Sequence, residues 1–140
     1  MVMEQLAVEI VGLCREYGEC RVEVERMEEA RRVKNALESV CAMARQRLDI
    51  SDPALLLALL DACEVTRDEG MLQEVLDVVG RNLDRLAVSA ESVKLLACCY
   101  YYVEEEECAE RARRMLEELR KLGMGEEELA DAETILEELT

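Results

Sequence analysis

Apolar residues return every three or four positions along almost the whole chain, which is the spacing of one buried face on an α-helix. Met3, Leu6, Ile10, Leu13 and Tyr17 form the first such stripe. It is a seam suited to packing along another helix, and Gly18 is expected to end it. A long second helix is predicted from about Arg21 to Leu48, with Met27, Ala30, Val33, Leu37, Val40, Cys41, Ala44 and Leu48 on its seam. At ~1.5 Å per residue it would span roughly 40 Å. Val22 and Val24 alternate with Glu23 and Glu25, but no partner strand is in sight, so helix is preferred there too.

From Ser51 to Leu122 the pattern reads as two consecutive helical hairpins, Ser51 to Leu86 and Ser89 to Leu122. Asp52 is the expected N-cap of the first, followed by Pro53 at the first helical position, where no N–H is needed. The run Leu55, Leu56, Leu57, Leu59, Leu60, Ala62 and Cys63 is too apolar all round for a surface helix and is expected at the centre of a core. Thr66 and Glu69 have capping-box spacing, and Met71, Leu72, Val75, Leu76, Val79, Leu83 and Leu86 supply the next buried face. Ser89 caps the second hairpin, whose apolar helix carries Val93, Leu95, Leu96, Ala97, Cys98, Cys99 and Tyr100. Glu104 to Glu107 suit the positive end of a new helix, which Gly123 would close. A last helix is expected from Glu126 to Leu139, with Leu129, Ala132, Ile135, Leu136 and Leu139 facing inward.

A shift of about 37 residues lays Met71, Leu72, Val75, Val78 and Val79 onto Cys108, Ala109, Ala112, Met115 and Leu116. Two helices per unit at such a period resemble helical-repeat proteins of the armadillo, HEAT and tetratricopeptide kind. The resemblance covers roughly half the chain. The Trp, Gly and Tyr signature of tetratricopeptide repeats is absent. It implies stacked helical hairpins and an interaction scaffold.

Composition narrows the function classes. The net charge of −16 disfavours nucleic acid, whose phosphates would be repelled. The exception is Arg111, Arg113, Arg114, Arg120 and Lys121, a cationic cluster interleaved with Glu110, Glu117 and Glu118. Its simplest account is a solvated helix face laced with ion pairs. No apolar run reaches membrane-spanning length, and no basic region precedes the first apolar residues, so neither a membrane span nor a signal peptide is expected. The expected compartment is cytoplasmic. Phe, Trp and His are absent and Arg far outnumbers Lys, an alphabet that suits a thermophile or a designed helical protein without a biological function. Cys98-Cys99, the Tyr100-Tyr101-Tyr102 run and the irregular methionines argue against design.

Catalytic apparatus is hard to assemble from these residues. Without histidine there is no Ser–His or Cys–His couple, and no P-loop or G-x-G-x-x-G motif occurs. The seven cysteines include no C-x-x-C pair, so a structural zinc site is not expected. Most of them fall on apolar stripes and read as small core residues. Two disulfides are the sharper expectation: Cys63 with Cys98 or Cys99, if the hairpins stack, and Cys14 with Cys20, flanking one turn. Glu104 to Glu107 with Glu110 could hold a divalent cation, as carboxylates of all-helical nucleotide pyrophosphohydrolases hold magnesium. The paired E-E-x-x-E and E-x-x-D pattern is missing, and a solvated first turn is preferred. Neither a metal nor any other cofactor is called for.

The expected fold is all-α, with six to seven antiparallel helices in a compact bundle or a short α-solenoid of stacked hairpins. Residues 1–140 are expected to form one domain: an N-terminal hairpin over 1–50, repeat-like hairpins over 51–122 and a last helix over 126–139. The expected function is a non-enzymatic scaffold that binds a protein partner or itself as a homodimer. Its interface would use Leu6, Ile10, Leu13 and Tyr17 together with Tyr100, Tyr101 and Tyr102. The alternative is a helical-repeat RNA-binding protein using the Arg111–Lys121 face.

Overall fold

The computed structural model describes residues 3–139. The side chains of Met3 and Leu139, both expected on seams, lie outside the described residues. Seven α-helices and no strand occur among those residues: α1 Met3–Cys20, α2 Met27–Arg45, α3 Pro53–Thr66, α4 Glu69–Arg81, α5 Ala90–Val103, α6 Glu106–Lys121 and α7 Glu126–Leu139. Short 3-10 turns at Val24–Arg26 and Leu83–Arg85 precede α2 and follow α4.

Local chemistry sets most helix ends. Asp52 caps α3 by accepting the Leu55 N–H at 3.1 Å, with Pro53 at the first helical position. Ser89 caps α5 by accepting the Ser92 N–H at 3.1 Å, and its own hydroxyl donates to the buried Ser92 hydroxyl. Gly123, at φ +85, closes α6 with the paired bonds Gly123 N–H to Arg120 C=O and Met124 N–H to Leu119 C=O, a Schellman end.

Several helix boundaries differ from expectation. Gly18 does not stop α1, because the helix can absorb one glycine at a cost of about 1 kcal/mol and its buried face continues to Cys20. The second helix starts at Met27 rather than Arg21 and ends at Arg45, so its 19 residues span only ~28 Å. Val22 and Val24 are exposed, so that stretch has no core face to hold it helical. Thr66 remains inside α3, donating to the Ala62 carbonyl, and Asp68 caps α4 by accepting the Met71 N–H at 3.0 Å. In the glutamate run, Glu104 adopts φ +53 as the cap of α5, and α6 begins at Glu106.

The chain divides into two units, one ending at Val75 and the other starting at Leu76, within α4. In the first, α1 packs along both α2 and α3, while α2 and α3 touch each other less. Leu6, Ile10, Leu37, Ala44, Leu55, Leu56, Leu59 and Ala62 are buried at its centre. In the second, α5 packs along both α6 and α7, again with lesser contact between the outer pair. Its core holds Val93, Leu95, Leu96, Ala97, Ala109, Ala112, Leu129 and Ala132. A helix that is apolar nearly all round serves each core (α3 and α5), as the unbroken leucine and alanine runs require.

Candidate functional site

The outward side of α1 carries an anomaly. Leu6, Ala7, Ile10 and Cys14 are buried in the core of the first unit, with Leu13 and Tyr17 half-buried beside them. One step around the helix, Val8 is 74% exposed and Val11 39% exposed. Gly12 follows one turn beyond Val8 on the exposed side, and a Cβ placed there would meet no neighbour within 4 Å. Mid-helix glycine costs about 1 kcal/mol relative to alanine, and no packing within the chain demands it here.

Ala7, Val8, Val11, Gly12, Arg15 and Ala54 line a shallow, mainly apolar groove of about 420 Å³. Ala54 belongs to the first turn of α3. Asp61, two turns further along α3, is close enough to raise the Cys14 thiol on α1, and Arg21 Nη1 donates to the Val65 carbonyl at 3.5 Å. Contacts therefore advance in the same direction on both helices, so α1 and α3 run parallel, with Asp61 further along the seam than Ala54, which lines the groove. Asp61 has neither an ion-pair nor a hydrogen-bond partner among the described residues. Burial against its neighbours pushes the Asp61 carboxyl above the ordinary aspartate value, and Glu64 adds to the shift.

The interface residues expected from the pattern are distributed differently. Leu6 and Ile10 are fully buried, because the regular seam of α1 is spent on α2 and α3. The exposed apolar positions, Val8 and Val11, lie off that seam and carry no periodic signal of their own. The tyrosine run covers the end of α5. Tyr101 is 62% exposed and meets Tyr102 edge-on at 5.1 Å between ring centroids. The Tyr100 hydroxyl donates to Glu106 at 3.3 Å, and that carboxylate raises the Tyr100 phenol.

All seven cysteines are thiols, and the expected disulfides are not formed. Because α1 is continuous through Gly18, Cys14 and Cys20 are separated by about 9 Å along its axis, beyond the reach of a bridge. Cys63 belongs to the first unit, Cys98 and Cys99 to the second. Cys14, Cys41 and Cys63 come one from each of α1, α2 and α3. Burial pushes Cys14 up to about 11 and Cys41 and Cys63 up to about 12; the charge of Cys14 adds to Cys41, and both add to Cys63. Thiols held protonated in this way are poor nucleophiles. Among the described residues no three Cys, Asp or Glu side chains are gathered for a metal ion.

Several charged groups elsewhere pair within their own unit. Arg45 on α2 holds Glu74 on α4 through a two-pronged contact, with Nε to Oε2 at 3.0 Å, and reaches Asp68 at 3.6 Å. The Arg45 guanidinium keeps the Glu74 carboxyl below its ordinary range. This network borders a polar hollow of about 200 Å³ that includes Glu38, Cys41 and Thr66. In the cationic cluster, Arg111 is paired with Asp84 and Arg120 with Glu133. Arg113, Arg114 and Lys121 are exposed beside Glu110, Glu117 and Glu118. No helix among the described residues is long and apolar enough to cross a membrane.

Comparison with family models, curated proteins and solved structures gives no significant match.

Proposed function

We propose that this protein is a non-catalytic helical interaction module whose docking face is the groove between α1 and α3. The observation that carries the reading is the exposed Val8–Val11 stripe beside an uncrowded Gly12, set in a concave apolar surface. Covering such positions removes apolar area from water at about 25 cal/mol per Å². An apolar groove that takes the apolar face of a helix is a common way of recognising peptide segments. The absence of histidine and the protonated thiols support a binding role over chemistry. One feature supports kinship with helical repeats: the register of about 37 residues pairs buried positions, Met71 with Cys108, Val75 with Ala112 and Val79 with Leu116.

The test is selection of a displayed random peptide library on the immobilised full chain, followed by rescreening on a Val8→Glu/Val11→Glu variant. Enriched peptides should carry spaced apolar residues and lose binding to the variant, which keeps its helical circular dichroism because both sites are exposed. Peptides that bind both proteins alike, or no enrichment at all, would overturn this assignment.

A further inference from the structure

The groove has a charge pattern that specifies its occupant. Arg15 is the only cation on α1, against Glu4, Glu9, Glu16 and Glu19. Glu16 and Glu19 are exposed one and two turns beyond Gly12, on the same outward side. On α3, Asp61 stands in line with Ala54, which lines the groove, at a spacing of about two helical turns. It is an exposed carboxylate with no ion-pair partner among the described residues, further along the same seam. An exposed carboxylate with no cation paired to it is stabilised by a binding partner that brings one. The net charge of −16 adds a long-range attraction for basic segments and repels a second copy of the chain. A homodimer across α1 would also oppose Glu16 and Glu19 with the same acidic face.

Building on the docking role assigned to this groove, we infer that its occupant is a basic amphipathic helix of another protein. The apolar face of that helix covers Val8, Val11 and Gly12, and a Lys or Arg reaches Asp61. Gly12 lets the partner backbone approach α1 closely. The stem of Arg15 forms one wall while its guanidinium stays in water.

The experiment titrates the full chain with two synthetic amphipathic helices of identical leucine pattern, one bearing lysine and one bearing glutamate on the polar face. Binding is followed by calorimetry at low and high salt. The lysine peptide should bind in a salt-weakened manner and the glutamate peptide should not. Asp61→Asn should weaken the lysine peptide about fivefold, while Glu117→Gln, which removes one exposed charge in the other unit, should leave it unchanged. Val8→Glu/Val11→Glu should abolish binding. Equal losses from Asp61→Asn and Glu117→Gln would reduce the effect to net charge and overturn the inference. Binding of the glutamate peptide that depends on Val8 and Val11 would overturn the basic partner while leaving the groove as a docking face. Binding of either peptide that ignores Val8 and Val11 would sink both. A concentration-dependent dimer in sedimentation, lost in the Val8→Glu/Val11→Glu variant, would replace the basic helix by a second copy.

Discussion

The two three-helix units are built alike and differ at the seam between their first and third helices. In the second unit an ion pair bridges that seam: Lys94 on α5 reaches Asp131 on α7 at 3.8 Å. Arg120 on α6 holds Glu133 on α7 as well, so α7 is tied from two sides. In the first unit the seam has Arg15 on α1 and Asp61 on α3, with no ion pair between them among the described residues, and Arg15 borders a groove lined by Ala7, Val8, Val11, Gly12 and Ala54. One helical plan therefore yields a seam bridged by its own charges and a seam left open. The open one carries two features that each cost the isolated chain something, exposed valines and a mid-helix glycine, with an unpaired exposed carboxylate further along it. The exposed valines beside the uncrowded glycine are what support the docking face proposed above.

The largest expected effect tests whether the two units share one core plan. Leu59→Ala in the first and Leu96→Ala in the second each remove a fully buried side chain. Each should cost about 3 kcal/mol in chemical denaturation. Native-state amide exchange should show the loss of protection concentrated in the unit that carries the change. Smaller effects sharpen the contrast between the seams. Gly12→Ala should stabilise the chain by about 1 kcal/mol, since the added methyl meets open space and the helix gains propensity. Smallest of all, Asp61→Asn should be neutral to stabilising, within about 0.5 kcal/mol. The sign follows from the raised carboxyl: the folded state disfavours its charge, so the stability tied to Asp61 falls as pH rises through its folded value. Asp131→Asn, which breaks the bridge to Lys94, should shift stability in the opposite direction by a similarly small amount. Paired thermal melts at neutral pH would check both signs.

Much of the fold was legible because helix periodicity and caps are local. Asp52, Ser89 and Gly123 act where their chemistry says they should, and the leucine run of α3 lies in a core as its composition demands. The misread ends have tertiary causes. Thr66 matched a capping box, but its hydroxyl bonds back to Ala62 and the carboxylate of Asp68 takes the cap. The stretch from Arg21 to Arg26 had helical composition but no buried face to hold it. The docking groove was not legible at all. A periodic seam marks residues such as Leu6 and Ile10 that a helix buries within its own unit. Val8 and Val11 become distinctive only when α3 is placed beside them, and Asp61 only when no cation is found near it.

The most direct test of the central claim is an amide chemical-shift map of the nitrogen-labelled full chain during addition of the lysine-bearing amphipathic peptide. The account predicts that the largest shifts fall on Val8, Val11, Gly12, Ala54 and Asp61, with Tyr101 and Val103 at the end of α5 unmoved. Shifts spread evenly over the acidic surface, or concentrated on α5 to α7, would contradict it.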